Sequence, residues 1–116
     1  MEILDCIFCK IINKEIPAKV AYEDEDVLAF HDINPQAPIH LLIIPKQHIA
    51  SIMEINKEDD GLLNKVIMVA QKLAKQNNID TKGFRIVVNT GDDGGQTVSH
   101  LHFHILGGRS LAWPPG

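Results

Sequence analysis

The chain has 116 residues, 45% of them apolar and 22% charged, with a net charge of −4. That length supports one domain, 1–116, with a real core and no room for a second. No apolar run approaches the ~20 residues that span a bilayer, the N-terminus has no basic stretch leading into an apolar one, and no Lys/Arg cluster offers a footprint for duplex nucleic acid. Neither a membrane nor nucleic acid is therefore an expected partner, and the expected compartment is the cytoplasm.

Ile7-Phe8-Cys9-Lys10-Ile11-Ile12 is a short apolar run, either a first helix or a buried lead-in, closed by Asn13-Lys14 and Pro17. It overlaps a Cys-x-x-Cys formed by Cys6 and Cys9. A structural disulfide is disfavoured in the cytosol, which leaves a metal site, a redox pair or two plain thiols. The segments 19–23 and 27–31 flank the acidic turn Asp24-Glu25-Asp26 and read as a hairpin. After a proline-bearing loop, His40-Leu41-Leu42-Ile43-Ile44 is a continuous apolar run stopped by Pro45, as expected of a central strand. Asn56 suits a helix N-cap, and Glu58, Asp59 and Asp60 suit the positive end of the helix dipole. Leu62, Leu63, Val66, Val69, Ala70, Leu73 and Ala74 then recur at helical spacing as far as Asn77-Asn78, a stripe that needs no role beyond the core. Gly83 precedes a further strand, 84–89, and a Gly- and Asp-rich loop, 90–97, joins it to the last one. The expected fold class is α+β, a five-stranded, mostly antiparallel sheet with one long and one short helix.

That last strand carries the most information. In Ser99-His100-Leu101-His102-Phe103-His104-Ile105-Leu106, three of the chain's six histidines alternate with large apolar residues. A strand sends alternate side chains to opposite faces, so the segment presents one apolar face and one imidazole face. Imidazole can serve as base, acid, nucleophile or metal ligand near neutral pH. Packing alone gives little reason to line up three groups that repel one another once protonated. A single ion held by all three is excluded by reach, because same-face positions 100 and 104 of a strand stand roughly 13 Å apart while ligand bonds are near 2 Å. The glycines of Gly91-Asp92-Asp93-Gly94-Gly95-Gln96-Thr97 let backbone N–H groups approach an anion, with the Thr97 hydroxyl beside them. The loop lacks the Gly-Lys-Ser/Thr ending and following helix of a P-loop.

His40, Asn89, Gly95, Thr97, His100, His102 and His104 together resemble the histidine-triad (HIT) family of nucleotide-binding proteins. The resemblance extends over nearly the whole chain. Within the family, the segments 30–38 and 93–96 and the ending Trp113-Pro114-Pro115-Gly116 are similar to the nucleoside phosphoramidase branch. The resemblance implies a homodimer with a joined sheet that binds a purine nucleoside monophosphate or its phosphoramidate and hydrolyses a P–N bond. It assigns catalysis to His102 as nucleophile, His104 as a hydrogen-bond donor to the phosphate, His40 as their support and Thr97 as a hydroxyl donor. Asn89 and Gly95 would hold the phosphate end, Asp32 the ribose hydroxyls, and Ile7, Phe8, Ile11 and Ile33 the base. The Cys-x-x-Cys departs from the metal-free members and is similar to the zinc-bearing ones, implying structural zinc held by Cys6, Cys9, His48 and His100. Two other activities compete: a non-catalytic purine mononucleotide-binding module, and a dinucleoside polyphosphate hydrolase of another HIT branch. No organic cofactor is implied.

Overall fold

The computed structural model describes residues 5–116. A short helix α1 (Ile7–Ile12) leads into strands β1 (Val20–Glu23) and β2 (Val27–His31), followed by β3 (Ile39–Pro45). Two single-turn 3-10 segments (Ile52–Glu54 and Lys57–Asp59) precede the long helix α2 (Asp60–Gln76), then β4 (Phe84–Val87) and β5 (Phe103–Gly107). The sheet order is β1-β2-β3-β5-β4, with every neighbouring pair antiparallel. The expected architecture is thus observed, and the apolar run from His40 is the middle strand.

Alternation along the strands divides the interior into two layers. Val27, Ala29, Leu41, Ile43, Phe103 and Ile105 face α2 and pack against Val66, Val69, Ala70, Leu73 and Ala74. Leu28, Phe30, Leu42 and Ile44 face the other way and pack against Cys6, Phe8 and Cys9 of the α1 segment. A sheet covered by a long helix on one side and one short helix on the other leaves part of its second face accessible. His40, His102 and His104 lie on that second side.

Local capping explains the helix boundaries. Asn56 caps the 3-10 turn rather than α2, its side chain taking the Glu58 N–H while Asp59 returns a bond to the Asn56 N–H. The α-helix proper begins at Asp60. Leu63 departs from the expected core stripe: it is 44% exposed, beside Ile67 at 46% and Met68 at 59%. The β1–β2 turn is held by Asp24, whose carboxylate accepts the Asp26 and Val27 N–H groups at 2.8 and 2.9 Å, the Tyr22 hydroxyl, and the Lys65 ammonium from α2 at 2.9 Å. Burial opposes ionisation there, but these donors outweigh it and hold the carboxyl well below the usual range.

The histidine segment corrects one expectation. Regular strand begins only at Phe103, so His100 and His102 precede it. Its partner β3 stops at Pro45, which has no N–H to give, and the Leu101 N–H turns to the Ile49 carbonyl at 2.6 Å. The alternation still survives, since Leu101, Phe103 and Ile105 all enter the α2-side core.

Candidate active site

His102, His104 and Thr97 meet on the α1 side of the sheet, at an open cavity of about 240 Å³. Ile7, Phe8 and Ile11 of α1 form one wall, and His31 at the end of β2, with Asp32 and Ile33 after it, forms another. Phe8 stands edge-on to the His102 ring, with centroids 5.1 Å apart, and also touches Phe30 and His100. Two roomier surface clefts, about 460 and 660 Å³, include no histidine. The first is lined by Glu25, Asp26, Glu58, Asp59 and Asp60, a poor setting for a phosphate.

Hydrogen bonds to backbone groups fix the tautomers. The Nδ1 of His102 lies 2.7 Å from the His100 carbonyl. A carbonyl only accepts, so Nδ1 carries the proton and Nε2 keeps its lone pair. His40 is set the opposite way: the Gln36 N–H donates to its Nδ1 at 3.0 Å, leaving the proton on Nε2. That Nε2–H donates to His104 Nδ1 at 2.9 Å, which puts the His104 proton on its own Nε2. The site therefore pairs a nitrogen lone pair on His102 with an N–H donor on His104, two rings with centroids 5.1 Å apart. Asp32, 3.4 Å from His40 Nε2, adds negative charge behind the relay. Asp32, His40 and His104 have the donor types of a metal site, but a protonated Nε2 on His40 offers an ion no lone pair. They form a hydrogen-bond relay instead.

Burial, and then the neighbouring rings of His102 and His40, push the His104 pKa down to about 4. His40 is lowered by burial against the opposing pull of Asp32. Both imidazoles are thus neutral at pH 7.

Cys6, Cys9, His48 and His100 form a separate group, with ligand atoms all within 4.8 Å of one another. Cys6 caps α1 with its sulfur, taking the Cys9 N–H at 3.4 Å. His100 donates from Nε2 to the Pro45 carbonyl at 2.8 Å, so its Nδ1 lone pair faces the Cys6 and Cys9 sulfurs at 3.3 and 3.6 Å. His48 Nδ1 is 3.2 Å from Cys9 Sγ. A tetrahedral ion with bonds near 2.0 to 2.3 Å separates its ligands by roughly 3.3 to 3.8 Å, so the donors fit. Their chemistry fits as well. Burial, then the adjacent Cys6 sulfur, pushes the Cys9 thiol up to about 11, so near neutral pH that sulfur ionises only beside a cation. His100 and His104 belong to different groups, as their spacing requires.

The remaining expected site residues sit further out. Asn89, just past β4, and Gly95, in the loop, are not among the residues lining the cavity, and Ile33 is 99% exposed at its rim. His31 lines the cavity, and Ile16, Pro17 and Val98 join it without any signal in the pattern. None of the hydrogen bonds formed among the described residues uses the Thr97 or Val98 N–H, which leaves both free beside the cavity.

A HIT domain is matched over residues 13–111. The chain belongs to the HIT family. An uncharacterized HIT-like protein of Synechococcus elongatus is 55% identical over 112 residues, 97% of each chain. Among solved structures, a HIT family hydrolase from Legionella pneumophila superposes with a TM-score of 0.94 at 53% identity, covering 97% of this chain and 100% of that one. A HIT family hydrolase from Clostridium thermocellum gives 0.91 at 49% identity, covering 93% and 94%. The fold is that of the HIT family hydrolases. No helix among the described residues is long and apolar enough to cross a membrane.

Proposed function

We propose that this HIT protein is a purine nucleoside phosphoramidase that works through a nucleotidyl-histidine intermediate. The observation that carries the reading is the His102–His100 hydrogen bond, which leaves Nε2 as the free nitrogen of a ring lining the cavity. That lone pair attacks phosphorus, and the P–N bond breaks as the amine departs with a proton taken from solvent, which the attacking water of the next step gives back. Water then attacks the phosphorus of the nucleotidyl-histidine, releasing the monophosphate and restoring His102. Donors aimed at the phosphoryl oxygens stabilise the charge that develops there. The His104 Nε2–H, the Thr97 hydroxyl and the free Thr97 and Val98 amides are such donors. Asp32 accepts the ribose hydroxyls, Asn89 and Gly95 support the phosphate end, and Ile7, Phe8, Ile11 and Ile33 enclose the purine.

Cys6, Cys9, His48 and His100 hold zinc in this reading, an ion that supplies structural cross-linking and no hydrolytic chemistry. The half-exposed Leu63, Ile67 and Met68 of α2, and the sheet edge at β4, where Ile86 is 37% exposed, favour a homodimer with a joined sheet. The compartment is the cytoplasm.

The test is hydrolysis of an adenosine phosphoramidate carrying a fluorescent amine, by native protein and His102→Ala, with and without EDTA. Turnover lost in the variant but kept in EDTA is the expected result. Native protein that binds AMP yet turns nothing over is a mononucleotide-binding module instead. Preferential cleavage of dinucleoside polyphosphates would move the protein to that other branch.

A further inference from the structure

Gln96 lies outside every role assigned above, yet its amide makes three hydrogen bonds to three separate stretches of chain. Its Oε1 accepts the Gly91 N–H at 3.0 Å. Its own backbone N–H returns a bond to the Gly91 carbonyl, also at 3.0 Å, so the loop 91–96 is closed from both sides. Its Nε2 donates to the Ala50 carbonyl at 2.7 Å and to the Val98 carbonyl at 3.0 Å. Ala50 follows Ile49, whose carbonyl anchors Leu101 at the start of the histidine segment.

Apart from the Gly95 N–H donating to the Asp92 carbonyl at 3.0 Å, the loop has little else to keep its shape. Gly91 and Gly95 occupy positive φ, at 70° and 81°, and a Cβ on Gly94 would collide with the Thr90 backbone. Glycines permit this path but lose the most conformational entropy in holding it. Gln96 is also unsuited to touching the phosphate itself. Both amide N–H donors are spent on carbonyls, and the one lone pair left on Oε1 would repel phosphate oxygens.

We infer that Gln96 is a positioning residue, clamping loop 91–97 so that Thr97 and the adjacent backbone N–H groups stay directed at the phosphate. The inference rests on the reading of this loop as the phosphate site. Preorganisation of this kind raises affinity for the phosphate without adding a contact to it.

Two substitutions test it. Gln96→Glu keeps the acceptor for Gly91 but sets a carboxylate against the Ala50 and Val98 carbonyls, and Gln96→Met keeps the length with no hydrogen bond. Hydrogen exchange of the loop is followed by mass spectrometry in ligand-free protein, and AMP and adenosine affinities are measured by calorimetry. In both variants, loop exchange should quicken by about 10-fold, consistent with loss of at least one net hydrogen bond. The Kd for AMP should rise by about the same factor, while that for adenosine stays within about 2-fold. Unchanged exchange in the free protein together with weaker AMP binding would make Gln96 a direct phosphate contact and overturn the proposal. Equal loss of adenosine binding, or loss of the cooperative unfolding transition, would make it a general fold determinant and overturn it equally. Native protein that binds AMP no better than adenosine would sink the phosphate-site reading itself. A native preference for AMP that both variants keep would sink only the clamp.

Discussion

His40 offers a sharp test of how the imidazoles divide their work. Replacing it with Leu removes the donor to His104 Nδ1 and the acceptor of the Gln36 N–H in one step. His40 itself is buried, at 6% exposure, but Gln36 is exposed, so water can take over one of the two orphaned groups. Leaving a partly buried polar group unpaired costs about 1–2 kcal/mol, which for a domain of this size lowers the thermal midpoint by about 4–8 °C. The effect on turnover follows from the tautomer. A neutral hydrogen bond worth about 0.5–1.5 kcal/mol biases His104 toward the form that donates from Nε2. Losing that bias lowers kcat by about 2- to 10-fold. Phosphoramidate hydrolysis and differential scanning fluorimetry on His40→Leu measure both quantities. A general acid or base would instead lose about 10²- to 10⁴-fold. A kcat loss above 100-fold would therefore show that His40 moves a proton in the reaction, and the relay account would be wrong. An unchanged kcat would show that His104 needs no orienting partner.

Three further outcomes are expected. Stripping divalent ions should lower the thermal midpoint and re-adding Zn²⁺ should restore it, since an ion at 100 times its Kd contributes about 2.7 kcal/mol; Cys9→Ser should abolish the response, and a chelator-insensitive midpoint in ion-loaded native protein would refute the site. The depressed pKa of His104 means that the unfolded chain binds more protons than the folded one between the free histidine value near 6.5 and about 4, and the lowered His40 acts in the same direction. Stability present above that window should thus fall as pH drops through it, by at most about 1.4 kcal/mol per pH unit for each histidine; unfolding midpoints that stay flat from pH 7 to 4.5 would contradict the burial of the relay. Asp24→Ala should cost about 1–2 kcal/mol through the lost turn bonds to Asp26 and Val27. In native protein, the carboxylate's contribution should be present above pH ~4 and decline below it, and a denaturant titration in which the variant matches native protein would remove the turn from the stabilising set.

Periodicity was enough to separate the two faces of the histidine segment: the alternation of Leu101, Phe103 and Ile105 with the histidines is the one that puts α2 on one side and the chemistry on the other. In 40–44 continuous apolarity marked a central strand but could not tell Leu41 and Ile43, on the α2 side, from Leu42 and Ile44 on the other. The hairpin about Asp24 was legible because its acidic turn interrupts two apolar runs. Spacing could not join Cys6, Cys9, His48 and His100, since nothing local links positions so far apart; there the family likeness supplied what pattern could not. The tautomers were out of reach for a related reason. They depend on the Gln36 N–H and the His100 carbonyl, and backbone groups are identical in every sequence. The late start of β5 at Phe103 reflects a similar limit, because the ladder ends where β3 meets Pro45 rather than where the alternation ends.

The four-donor group has a consequence for how the molecule reaches its final state. Cys6 and His100 stand 94 positions apart, so they meet only after the sheet has assembled. During synthesis the two cysteines emerge first, able to offer an ion just two sulfurs, and the remaining donors arrive from the middle and then the far end of the chain. Full coordination therefore coincides with completed folding, and the free energy of capture is also free energy of the native state. An ion seated there would act as a proofreading latch, closing only on chains whose beginning has found their end.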